Sequence, residues 1–332
     1  MADLTTKYLG LSLSNPIIIG SSGLTDSPEN ILELEKAGAG AVVLKSLFEE
    51  QIMMEVDASL KEAYRNDMIY SAKSETLDYI DIHIRERTLS AYIELIKETK
   101  KRVMIPVIAS VNCVSSAEWT GFAGQLEKAG ADAIELNIAI LPSDENTTPE
   151  SIEKLYFDII GKVREKINIP LSVKITPSFT NLALMVKKLS QTGIEGIVMF
   201  NRFYTPDFDI NNFAEKSSNT FSTPSETGNV RRWIGIMSPR VECDLVASTG
   251  IHNAEDLIKQ LLAGAGAVQV VSTIYKNGKE QIQKMLEGLN QWMDEKAFNT
   301  IGQFRGKMSQ TEISNPSAYE RIQFMKYFSE IR

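Results

Sequence analysis

Two lysines, Lys45 and Lys174, and three asparagines, Asn112, Asn137 and Asn201, each close a short apolar run. A fixed ammonium in such a place stabilises negative charge that develops on a bound group. Each asparagine side chain offers both a donor and an acceptor, which suits a planar ring whose edge alternates N–H and C=O. Hydroxyl and glycine residues close the other runs: Ser21, Ser22 and Gly23, then Ser46 beside Lys45, Thr249 with Gly250, and Ser272 with Thr273. Small residues let backbone N–H groups approach an anion closely, so the last two pairs suit a phosphate, although ordinary turn chemistry uses the same residues. No Asp or Glu pair of the glycosidase kind closes any of these runs.

The elements that must position these groups recur along the chain. "EKAGAGAVVLKS" (35–46), "EKAGADAIELNI" (127–138), "SQTGIEGIVMFNR" (190–202) and "LLAGAGAVQVVS" (261–272) each read as helix end, glycine, apolar strand and polar residue. Glycines 38, 130, 193 and 264 suit the left-handed position that stops a helix. The apolar runs are continuous rather than alternating, as expected of parallel strands buried on both faces. Further strands fit 15–22, 105–112, 169–176 and 243–249. Helical patterns occupy 28–37, 74–101, 116–129, 149–166, 180–192, 226–240 and 253–263. Eight strand–helix alternations predict an α/β fold of the (β/α)8 TIM-barrel type, with insertions after strands 2 and 6. The whole of 1–332 is then one domain with a C-terminal helical extension over about 297–332, of which 315–332 is amphipathic and packs on the barrel or a neighbouring subunit. In such a barrel the polar strand ends gather on one rim.

Bulk properties exclude several function classes. A net charge of −8 argues against a sequence-independent grip on nucleic acid. No apolar run reaches the length of a spanning helix, and the first residues show no secretory pattern. Two cysteines, Cys113 and Cys243, and two histidines, His83 and His252, point to a cytoplasmic protein without disulfides, iron–sulfur cluster or His-rich metal centre. Two inward lysines beside three amides suit a flavin, because hydride transfer to its ring leaves negative charge that a cation stabilises. Each lysine taken alone also reads as a snorkelling rim residue.

The series "NPIIIGSSG", "VVLKS", "IASVNC…EW", "GADAIELN", "VKITP", "STGI" and "GAGAVQVVSTIYKNG" resembles the dihydroorotate dehydrogenase family in order and spacing. The pyrimidine-reducing part of dihydropyrimidine dehydrogenase is similar around "SVNCVSSAEW". This resemblance, over most of residues 5–295, implies an FMN-dependent oxidoreductase of pyrimidine metabolism, commonly a homodimer. It implies that Ser22 and Gly23 lie against FMN, Lys45 and Lys174 contact its ring, and Ser46 lines its edge. By the same resemblance Thr249, Gly250, Ser272 and Thr273 help hold its phosphate. Asn112, Asn137 and Asn201 then hold the flavin edge or a planar substrate stacked on it.

The chain departs from that family where a base is expected. The family motif continues E-L-N-x-S-C-P-N, and its cysteine, or a serine in some members, removes a proton from the substrate. Here Ile140 occupies that position, and an isoleucine cannot take a proton. Ser143 and Asp144 follow closely and are the candidate replacements; Cys113 follows a different strand. The segment 47–75 lacks the family's substrate stretch and reads as a lid or as a helix across the mouth. The segment 202–237 lacks the Gly-rich helix start that holds phosphate, leaving Arg231 or Arg232 to compensate, and its "FDINNF" suits a small hairpin. The substrate expected is a planar ring or an enone-like small molecule. Two other readings stay open: a flavin-binding electron-transfer or regulatory subunit with no catalysis of its own, and an aldolase using Lys174 as a Schiff-base lysine.

Overall fold

The computed structural model describes residues 2–48, 74–112, 120–203, 205–216 and 220–321. Cys113, most of the expected lid (49–73) and residues 322–332 lie outside the described residues.

The chain opens with a hairpin of β1 (Thr6–Tyr8) and β2 (Leu11–Leu13). Strand β3 (Ile17–Ile19) follows, then helix α1 (Pro28–Lys36), strand β4 (Ala41–Val43) and the two-residue β5 (Leu47–Phe48). Helix α2 (Ser74–Arg102) leads to β6 (Val107–Asn112), α3 (Thr120–Lys128) to β7 (Ala133–Asn137), and α4 (Pro149–Arg164) to β8 (Leu171–Ile175). After α5 (Leu182–Ser190) and β9 (Gly196–Met199) comes a small hairpin of β10 (Asp207–Asp209) and β11 (Ala214–Lys216). The chain continues with α6 (Thr227–Met237), β12 (Asp244–Ser248), α7 (Ala254–Ala263) and β13 (Ala267–Val270). Two helices, α8 (Ser272–Asn277) and α9 (Gln281–Glu295), complete the series.

Strands β3, β4, β6, β7, β8, β9, β12 and β13 pair in parallel, each with the next, and β13 returns to β3. The result is the closed (β/α)8 barrel that the repeats predict, with β5 added beside β6. Gly38, Gly130, Gly193 and Gly264 have φ of 100°, 100°, 82° and 118°, the left-handed values expected of them. Helix starts follow their caps: Ser27, Thr148 and Asn253 each accept a backbone N–H of the first turn, and Pro28 and Pro149 stand just inside two of these helices.

Two apolar layers hold the barrel. The larger lies between strands and helices, where Ile17, Val42, Val107, Ile134 and Leu171 are fully buried. Each such side chain contributes about 1.5–3 kcal/mol. The smaller fills the lower lumen, where Tyr8, Leu9 and Leu13 of the first hairpin pack on Ile18, Val43, Ile108 and Val198. Gly196 makes room for this plug, since a Cβ there would lie 2.6 Å from Leu9 Cδ2. A plug at the N-terminal ends of the strands leaves the opposite rim to receive a ligand.

Residues 297–321, expected to be helical, carry two short 3-10 turns, Ile301–Gln303 and Pro316–Ala318. Gly302, Gly306 and Pro316 interrupt any longer helix. The segment nevertheless packs on the barrel, with the Tyr319 ring against Gly235 of α6 and its hydroxyl donating to the Met308 carbonyl. Among the described residues, no helix is long and apolar enough to cross a membrane.

Candidate active site

Strand register brings the polar strand ends to one level. Asn112 of β6 is paired with Asn137 of β7, and Asn137 with Lys174 of β8. Asn201 follows β9, its N–H bonded to the Ile175 carbonyl, and its side-chain Nδ2 donates to Asn137 Oδ1 at 3.0 Å. The Arg202 N–H donates to Asn201 Oδ1, which fixes which way that amide points.

A cavity of about 290 Å³ opens on this rim, lined by Lys174, Asn201, Thr249, Gly250 and Ser272 together with Ser21, Arg202, Ser222 and Gln269. A larger hollow lies elsewhere, between the starts of the strands and residues 305–312. It holds none of the expected site residues, and the rim is where a barrel's strands deliver their functional groups. Lys174 is half-buried and donates to Gln269 Oε1 at 3.0 Å. Burial lowers its pKa, and the negative charge of Glu135 opposes that shift.

Thr249 and Gly250 turn the chain away from β12 with φ of 86° and 80°. A β-branched residue at positive φ is strained, and such strain collects at binding sites. The Thr249 hydroxyl donates to the Phe200 carbonyl. Gly250 is obligatory, because a Cβ there would lie 2.4 Å from the Thr227 nitrogen. The Gly250 N–H donates to Ser222 Oγ, which also lies 3.1 Å from His252 Nε2, and the Ser222 N–H donates to Ser272 Oγ. Lys276 donates to the Ser222 carbonyl. Ser222, His252 and Lys276 therefore join the expected phosphate end although the sequence did not single them out for it. Thr273 is buried behind it, its hydroxyl donating to the His252 carbonyl.

On the first two strands, Ser22 caps the turn that begins at Gly23, and a Cβ on Gly23 would meet Tyr275 Oη at 2.9 Å. Ser46 is buried between Ser21 Oγ, at 2.9 Å, and Ser110 Oγ, at 2.7 Å. Lys45 is exposed, with its backbone N–H bonded to the Thr25 carbonyl. Ile140 is half-buried and packs against the outer core. Ser143 and Asp144 are exposed beyond it. The Asp144 carboxylate accepts from the Asn146 N–H, Asn146 Nδ2 and Thr147 Oγ1, and these bonds hold its pKa below the usual range. Neither Arg231 nor Arg232 lines the cavity; Arg232 reaches the Arg321 carbonyl instead. The cation that does line it after β9 is Arg202, paired with Glu226 at 2.8 Å.

A closed parallel barrel whose rim gathers a lysine, paired amides and a small-residue turn is an α/β-barrel enzyme site. A profile of the family described as dihydroorotate dehydrogenase matches residues 3–293, and the chain belongs to that family. It is similar to the dihydroorotate dehydrogenase B (NAD(+)) catalytic subunit of Thermoplasma volcanium, with 26% identity over 92% of this chain and 98% of the relative. The corresponding subunit of Methanothermobacter thermautotrophicus is 26% identical over 91% and 97%. The NAD-dependent dihydropyrimidine dehydrogenase subunit PreA of Escherichia coli is 24% identical over 92% of this chain and 76% of its own. The chain is thus an oxidoreductase of the CH–CH class, related to pyrimidine chemistry. That membership sets aside the aldolase reading of Lys174.

Proposed function

We propose that the chain binds FMN along the rim and oxidises or reduces a CH–CH bond in a planar, pyrimidine-like or enone-like small molecule. One observation carries this reading: Lys174, Asn201, Thr249, Gly250 and Ser272, from four different βα junctions, line a single cavity. The donor set suits the group. A half-buried ammonium offers charge to the ring end, and the strained Thr249–Gly250 turn with Ser272 offers N–H and hydroxyl donors to the phosphate end. Bound FMN supplies the hydride acceptor or donor.

The chain's own residues bind and orient. Lys174 favours negative charge at the nearby end of a bound ring. Asn137 and Asn201, tied together, present a fixed amide edge, and Asn112 extends it on the adjoining strand. Ser22, Gly23, Lys45 and Ser46 cover the side formed by the first two strands, while Thr273 steadies the phosphate end through His252. Proton movement is the altered part. Ile140 holds no proton, and the Asp144 carboxylate is committed to its own turn. Ser143, next along the chain, is then the candidate to stand in for the base, with water as the alternative.

Three finer points belong to the same reading. The relatives are named catalytic subunits of NAD(+)-type dehydrogenases, which supports electrons leaving through a second chain. A homodimer follows from the family resemblance. A cytoplasmic place follows from the sparse cysteines.

The test is the visible absorption spectrum of the purified protein, followed by anaerobic addition of dihydroorotate. A flavin spectrum that bleaches supports dihydroorotate as substrate and directs attention to Ser143→Ala and Asp144→Asn. A flavin spectrum that stays unchanged supports the cofactor and points to another ring. Colourless protein that also refuses added FMN overturns the reading.

A further inference from the structure

Beneath the rim, the barrel lumen holds a polar column that packing does not require. Glu135 of β7 is fully buried, two residues below Asn137, at the level of Ser110 and Ser172 on the flanking strands. Gln269 of β13 spans the lumen to meet it. Its Nε2 donates to Glu135 Oε2 at 2.5 Å, while its Oε1 accepts from Lys174 Nζ at 3.0 Å. Reversing the amide would set donor against donor at one end and acceptor against acceptor at the other. The column therefore has a direction, from ammonium through amide to carboxylate.

An acid in this place is costly. Among the described residues, Glu135 Oε1 has no hydrogen-bond partner. An apolar side chain of the same size would fill the space at lower cost, since a buried charge is stable only when paired and bonded. What the carboxylate supplies is negative charge directed at Lys174. We infer that Glu135 and Gln269 are positioning residues that keep Lys174 charged and aimed into the rim cavity. This inference rests on Lys174 being the cation of the proposed FMN site, and it names what makes it one.

The electrostatics agree. Burial raises the pKa of Glu135 and lowers that of Lys174, and each charge opposes the other's shift. Other charged groups nearby do not replace the pair. The Tyr8 and Tyr92 hydroxyls, close enough to feel Glu135, are pushed upward by burial and stay neutral. Asp244 acts on Tyr8 at the plug, and Arg202 on the cavity wall is paired with Glu226. Without Glu135, burial of Lys174 meets no opposing charge among the described residues and favours the neutral amine.

The test is competitive acetylation of the full-length chain with acetic anhydride over a pH series, reading the Lys174 peptide by mass spectrometry with and without added FMN. Glu135→Gln should lower the Lys174 midpoint by about one pH unit or more, the size of a typical environmental shift. Gln269→Met removes both bonds, leaves Glu135 to neutralise, and should lower the midpoint as well. In FMN-loaded protein the same variants should displace the break in midpoint potential against pH in the same direction. A merely structural role would lower the melting temperature and leave both midpoints in place. Wild-type midpoints in folded variants overturn the inference, and should Glu135→Gln not fold, Gln269→Met decides it. Failure of the wild-type chain to bind FMN would instead sink the flavin reading, while the acetylation without FMN still decides whether Glu135 holds Lys174 charged.

Discussion

Asn201 donates from Nδ2 to Oδ1 of Asn137 at 3.0 Å, so the loop after the sixth barrel strand is tied to the end of the fourth. Because Asn201 Oδ1 is held by the Arg202 N–H, neither amide can turn without loss of a bond. The pair is a rigid edge at the level of Lys174. Asn201→Ala should free the Asn137 amide and weaken FMN or ring binding by about 1–3 kcal/mol, the range for a buried polar group that loses its partner. Flavin fluorescence titration reads this directly. An unchanged dissociation constant together with an unchanged KM would remove the pair from the site.

Ile140 offers a gain-of-function test. By the proposed register it takes the place of the family's base; the side chain is half-buried against the outer core, with the Tyr156 hydroxyl donating to the nearby Ile138 carbonyl. Cysteine is smaller than isoleucine, so the loop has room for it. Ile140→Cys should raise the rate of anaerobic flavin reduction by dihydroorotate on the order of 10²–10⁴-fold, the usual contribution of a positioned base. Stopped-flow absorbance measures it. No acceleration in variant protein fully loaded with FMN would mean that the loop, and not only the side chain, has been rebuilt.

The barrel was legible because its signals are local. Glycines such as Gly38 and Gly264 stop helices at φ of 100° and 118°, and apolar runs such as 41–44 follow closely. The 207–216 hairpin was legible too, with Asp209 Oδ1 accepting the N–H groups of Asn211 and Asn212 in its turn. The partners within the rim were not. Glu135 and Gln269 are 134 residues apart, and Ser222 and Ser272 are 50 apart. Only closure of the barrel and the return of the 220–223 segment join them. Arg202 lines the cavity and neither Arg231 nor Arg232 does, because α6 directs Arg232 towards the C-terminal segment. An amphipathic pattern made the C-terminal segment read as helical, whereas in its described part, 297–321, the glycines and Pro316 leave only short turns.

Gly250 and Gly23 separate two kinds of close approach. A Cβ on Gly250 would lie 2.4 Å from backbone at Thr227, and its φ of 80° strains any side chain. On Gly23 the obstacle is the Tyr275 hydroxyl at 2.9 Å, and Tyr275 is an exposed side chain able to swing aside. Gly250→Ala should therefore destabilise the fold by about 1–3 kcal/mol and release flavin. Gly23→Ala should keep the melting temperature and change flavin affinity only. Differential scanning fluorimetry with the flavin-to-protein absorbance ratio separates the two outcomes. Equal effects from both substitutions would contradict the distinction.

His252 ties the stability of the phosphate end to pH. It is buried, with Nε2 3.1 Å from Ser222 Oγ, its N–H donating to Asp256 and its carbonyl accepting from Thr273 and Gln281. Burial, and next the charge of Lys276, lower its pKa from the ordinary 6.5. The sign follows from which state binds the proton first. Above 6.5 the ring is neutral whether folded or unfolded, and its contribution is fully present. As pH falls below 6.5 the unfolded chain takes up the proton before the folded one, and stability is lost until the folded value is also passed. Thermal unfolding midpoints should therefore decline on acidification through this window, and His252→Gln, which keeps a partner for Ser222, should flatten the decline. The comparison with wild type cancels the contribution of His83. If the variant and the wild type fall in parallel, the acid sensitivity lies elsewhere, and the Ser222–His252 contact is only a packing contact.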